Sequence, residues 1–114
     1  MGAEWIGAEM RTLDLGDPRR VRRVIQMIEQ FSANPEASIP KACASDAATK
    51  GAYRALGSED IQAEEIRLAH ARATAERARA CKRVLVPQDT MVLSFPTLAG
   101  TEGLGPVGKD GTRG

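Results

Sequence analysis

The apolar residues of this chain follow a helical period from residue 17 to 56, thin out along a further helix-forming stretch to about residue 81, and then gather into a short apolar run. In DPRRVRRVIQMIEQFSANP, residues 17–35, Val21, Val24, Ile25, Ile28 and Phe31 share one face at 100° per residue, which predicts an amphipathic helix. Asp17 is placed to cap that helix, Pro18 suits its first turn, and Asn34 with Pro35 ends it. Arg19, Arg23, Gln26 and Gln30 fall on the opposite face. Two further cap residues, Ser38 and Ser45, predict a very short helix over 39–44, a tight turn, and a second helix over 46–56 closed by Gly57. Ala48, Ala52, Ala55 and Leu56 form the inner face of the second helix, while Asp46, Lys50, Tyr53 and Arg54 point outward. Gly51 weakens this helix but lets another backbone come close.

From Ser58 to about residue 81 the chain is rich in strong helix formers, with acids early and bases late as the helix dipole favours. The apolar face there, Ile66, Ala69 and Ala73, is weak, so the helix either packs closely or awaits a partner surface. The N-terminal stretch GAEWIGAEMRTLDLG reads as irregular, with Trp5 as its anchor to the helices. At residue 83 the pattern changes: RVLVPQDTMVLSF, residues 83–95, reads as an apolar strand with Asp89 in its middle. Asp is disfavoured in strands and costly to bury alone, so this carboxylate marks a surface kink or an electrostatic task. In the following PTLAGTEGLGPVGKDGTRG, Gly and Pro are too dense for helix or strand. The expected fold class is mainly α. Residues 1–82 form a small helical domain with a helix-turn-helix-like element; residues 83–114 supply one strand and a Gly-rich loop of an incomplete α/β domain, because a single strand has nothing to pair with.

Composition narrows the function classes. The 114 residues are 42% hydrophobic and 27% charged, as in a soluble globular chain, and no run approaches the roughly 20 apolar residues of a membrane span. No signal-peptide pattern opens the chain, and a cytoplasmic location is expected. Cys43 and Cys81 suggest neither a disulfide framework nor a zinc site. Net charge is only +1, yet residues 11–23 set Arg11, Arg19, Arg20, Arg22 and Arg23 against Asp14 and Asp17, a local surplus that attracts phosphate. Such a run is also often a solvated helix face, and Arg20 and Arg22, flanking the apolar stripe, have Asp14, Asp17 and Glu29 as alternative partners. His70 has no Ser, Cys or second His arranged for nucleophilic catalysis, so it reads as a surface or half-buried helix residue. The EGLGPVGKDG loop lacks the spacing of a phosphate cradle, and no helix follows it.

Four stretches, LDLGDPRRVRRV, ASIPKACASDAATKGAYRAL, VLVPQDTMVLSF and TEGLGPVGKDGTRG, together resemble the N-terminal region of bacterial insertion-sequence transposases of the DDE type, in the family's order and spacing. The resemblance implies a helical domain that recognises the terminal inverted repeats of a transposon, preceding a ribonuclease-H-like catalytic domain. It also implies that Asp89 of QDT is the first of three catalytic carboxylates, whose metal would be Mg2+ in a full-length relative. Glu102 and Asp110 do not match the other two, so the chain as it stands is expected to bind DNA without strand-transfer activity and with no cofactor of its own. It reads as a truncated transposase. Pro87, Met91 and Val92 depart from the family's pattern around the carboxylate.

The candidate DNA-binding residues follow. Arg19, Arg20 and Arg23 on the first long helix, with Lys41 on the short one, are phosphate contacts. Thr49, Lys50, Tyr53 and Arg54 on the 46–56 helix are base readers, as for the second helix of a helix-turn-helix, with Tyr53 equally readable as a core residue. The expected partner is double-stranded DNA at transposon ends, in the bacterial cytoplasm and on the nucleoid when bound. An alternative is a non-catalytic regulatory fragment that inhibits or joins a full-length transposase.

Overall fold

The computed structural model describes residues 4–98, 100–108 and 112–114. Five helices run in chain order: α1 (Glu4–Glu9), α2 (Pro18–Ala33), α3 (Ile39–Cys43), α4 (Asp46–Leu56) and α5 (Ala63–Arg79). Two short strands follow, β1 (Pro106–Val107) and β2 (Thr112–Arg113). The chain divides into two compact units, Met1–Val84 and Leu85–Gly114. The fold is mainly α, as expected.

In the first unit the caps at Asp17, Asn34 and Ser45 act where the sequence places them, whereas Ser38 precedes α3 without a side-chain cap hydrogen bond. The Asp17 carboxylate accepts from the Arg19 amide at 2.8 Å, Pro18 opens α2, and Asn34 caps its C-terminal end. The Ser45 hydroxyl accepts from the Ala48 amide at 3.2 Å and opens α4. Between α3 and α4 the turn is made by Ala44 in the left-handed region, φ 59°, with its amide donating to the Pro40 carbonyl. This one residue reverses the chain sharply enough for α4 to pack against both α3 and α2.

Two apolar clusters hold the unit together. Ala48, Ala52 and Ala55 lie on one face of α4 and pack with Met27 and Cys43. Ala52 is wholly buried, so the helices meet at a distance set by methyl groups. The other cluster joins Ile6, Met10, Leu13 and Leu15 to Val24 of α2 and Ala69 of α5. Ile61 packs against both.

Several expectations need correction. The stretch read as irregular, GAEWIGAEMRTLDLG, contains a helix: Glu4–Glu9 form α1, because Ile6 and Met10, one turn apart, both find the core. Ile6 is therefore the anchor, and Trp5, one position earlier, is turned outward and 54% exposed. Leu56 is 59% exposed rather than inward; with Phe31, Ile28 and Ile61 it lines an apolar groove of about 200 Å³. The last helix starts at Ala63, not Ser58, because the Ser58 hydroxyl accepts from the Asp60 amide and its carbonyl from the Ile61 amide, closing a turn that drives Ile61 into the core.

Residues 83–95, which end the first unit and open the second, form no strand among the described residues. Pro87 contributes no amide hydrogen, and among the described residues no neighbouring strand runs along the segment; the Phe95 amide reaches across, donating to the Arg113 carbonyl at 2.7 Å. Leu85, Val86 and Met91 remain at least three-quarters exposed. The strands form instead in the Gly-rich tail, where neither helix nor strand was expected. Pro106 pairs with Arg113 and Val107 with Thr112 in an antiparallel hairpin, extended by reciprocal hydrogen bonds between Gly105 and Gly114.

Candidate nucleic-acid interface

The helical period that buries Val24 and Met27 turns Arg19 and Arg23 of α2 towards α4. Where the helices cross, the Arg23 guanidinium lies directly over Gly51: a Cβ built on Gly51 would stand 2.5 Å from Arg23 Cζ. The close approach that Gly51 permits is thus by a cationic side chain rather than by a backbone. Arg19, Arg20, Arg23, Gly51 and Arg54 line a single open concavity of about 420 Å³, with Asp17, Ala55, Ser58 and Ile61 completing it. Four guanidinium groups and one carboxylate share this surface.

The four arginines are not equivalent. Arg19 donates to Asp17 at 2.8 Å while remaining 81% exposed, and these hydrogen bonds hold the Asp17 carboxyl down at about 2. Arg20 is tied twice, donating to the Leu15 carbonyl at 2.9 Å and to Asp60 Oδ2 at 2.8 Å. It therefore fastens the start of α2 to the turn before α5. Arg23 donates only to the neutral Gln26 Oε1, at 3.0 Å, and Arg54 has no ion-pair partner among the described residues. The uncompensated charge is thus at Arg23 and Arg54. Lys50, adjacent to Gly51 and one turn before Arg54, is exposed on the outer side of α4. Tyr53 is 53% exposed beside them, which removes its reading as a core residue.

Other expected contacts lie elsewhere. Lys41 is exposed in a separate depression with Asn34, Pro35, Glu36 and Ala37. The Thr49 hydroxyl donates to the Ser45 carbonyl one turn earlier, at 2.8 Å. Arg22 is exposed and, among the described residues, pairs with none of Asp14, Asp17 or Glu29. Asp60, as the tether of Arg20, was not foreseen, because nothing local marks a pair forty residues apart.

Asp89 belongs to the second unit, exposed and outside any strand, with Oδ1 accepting from the Thr90 amide at 2.8 Å. Asp110 lies outside the described residues, and among those described no group of three His, Cys, Asp or Glu could hold a metal ion. Among the described residues Asp89 is thus not grouped with two further metal-ligating side chains.

His70 is engaged with a carboxylate. It and Arg77 of α5 both bind the Glu9 carboxylate of α1, chiefly through the Arg77 hydrogen bond holding that carboxyl below its ordinary range. Arg11 pairs with Glu76 at 2.8 Å alongside. No helix among the described residues is long and apolar enough to cross a membrane.

A short helix, a one-residue left-handed turn and a second helix with exposed cations, flanked by an arginine-bearing helix, define a small helical DNA-binding module. Residues 2–61 match the transposase DNA-binding family, and the chain belongs to that family. The match runs from α1 to Ile61, spanning every residue of the arginine-lined concavity; α5 and the second unit lie beyond it.

Proposed function

We propose that this chain recognises the terminal inverted repeats of a transposon, as the end-binding part of a cut-and-paste DNA transposase. Lys50, Tyr53 and Arg54 of α4 reach base edges, and Arg19 and Arg23 of α2 grip adjacent phosphates. The observation that carries this reading is the crossing of Arg23 over Gly51, which gathers cations from two helices on one surface. Scattered over the molecule, the same charges could not engage one duplex. Lys41 adds a phosphate contact further along, and Arg20 acts by positioning α2.

Equilibrium binding to a cognate inverted repeat and to a scrambled duplex tests the assignment. Lys50→Ala and Arg54→Ala each narrow the discrimination between the two by about 1–3 kcal/mol, whereas Arg23→Ala weakens both duplexes alike. Chelation of divalent metal leaves all these affinities unchanged. Discrimination that survives the double variant K50A/R54A contradicts the assignment of α4.

A second reading, association with a full-length transposase, is supported by the exposed apolar side chains of Val84, Leu85, Val86, Met91, Val92 and Leu93.

A further inference from the structure

The C-terminal half of α5 and the residues just after it carry Arg72, Arg77, Arg79, Lys82 and Arg83 against a single acid, Glu76. Glu76 is already paired with Arg11, and the acid facing this helix from α1, Glu9, with Arg77 and His70. Arg72, Arg79, Lys82 and Arg83 are therefore uncompensated: all four are exposed, and none forms an ion pair or side-chain hydrogen bond among the described residues. Seven residues apart, Arg72 and Arg79 project from nearly the same side of the helix. The helix dipole accounts for a cation in the last turn, such as Arg79. It does not account for Arg72, nearly two turns earlier, nor for Lys82 and Arg83, which follow the end of the helix.

We infer that Arg72, Arg79, Lys82 and Arg83 form a second phosphate-binding surface, which engages the backbone of the duplex read by α4 at a distance from the bases that α4 contacts. This rests on the DNA-binding reading above and extends the interface beyond the residues the family match covers. Arg79 lies sixteen residues beyond the start of α5, about 24 Å along the helix, a span of about seven base pairs. The helix acts as an arm from the concavity, where Ile61 sits, to this patch.

The test compares the wild type with R72Q/R79Q/K82Q/R83Q, in which Gln preserves helix propensity. Binding is measured against salt on a duplex of about 12 base pairs and one of about 30. On the longer duplex the variant's log–log salt slope is expected to be shallower by about 2 to 4, each lost phosphate contact contributing about 0.9. On the shorter duplex the two proteins are expected to differ much less. An unchanged slope on the long duplex overturns the proposal, and so does an equal change on both lengths, which would reflect net charge alone. If the wild type itself binds duplex without salt dependence, the DNA-binding reading fails and this inference with it, a result readable before any variant is made.

Discussion

Gly51 is the residue on which the interface turns. A side chain there meets the flexible end of Arg23, so Gly51→Ala is expected to push the guanidinium away without disturbing helix packing. Removing a mid-helix glycine stabilises the helix by about 0.5–1 kcal/mol. The variant should therefore melt at the same temperature or higher while binding duplex DNA several-fold more weakly, as thermal denaturation and a binding isotherm on one sample will show. A fall in both would mean that Gly51 serves packing alone. The sequence marks Gly51 as a place of close approach but not what approaches, because Arg23 lies 28 positions away and its rotamer depends on the helix crossing. Residues with local duties were legible: Asp17 and Ser45 cap where their neighbours require. Residues with remote partners, Arg20 with Asp60 and His70 with Glu9, were not.

Among the elements, α2 and α4 are driven by burial and α5 is not. Only Ala69 of α5 is buried, and the helix is held to α1 by Ile6 and by the ionic links of Glu9 and Arg11. Glu9 has its carboxyl lowered in the folded protein, so the unfolded chain binds protons more readily. Its contribution is present above the ordinary carboxyl value of 4.5 and is lost as pH falls through the lower folded value. Urea midpoints measured from pH 6 downwards should fall below about pH 4.5 in the wild type and fall less steeply in Glu9→Gln. Parallel curves would show that the Glu9 link carries none of the acid sensitivity. Helices α2 and α4 were legible because their apolar period and caps agree. The six-residue α1 is too short for a period to declare itself, and residues 83–95, although apolar, form no strand because pairing needs a neighbour that composition cannot supply.

At the scale of the whole molecule, a near-neutral chain gathers several of its unpaired cations on two surfaces. Asp17, Asp60, Glu9 and Glu76 each hold a particular arginine in place, and among the described residues Arg23 and Arg54 at the α2–α4 crossing and four cations at the end of α5 are left uncompensated, with Arg22 and Lys41 standing apart from both groups. Net charge of +1 conceals this arrangement entirely. The central claim is that Arg23, Lys50 and Arg54 act as one surface against a single duplex. Titration of the isotopically labelled protein with a short inverted-repeat duplex, followed by backbone amide and arginine side-chain NMR resonances, locates that surface directly. Resonances of residues 19–23 and 50–54 should shift together along one saturable isotherm, while Ile6, Met10 and Ala69 stay in place. Shifts confined to residues outside α2 and α4, or Arg23 and Arg54 following separate isotherms, would contradict it.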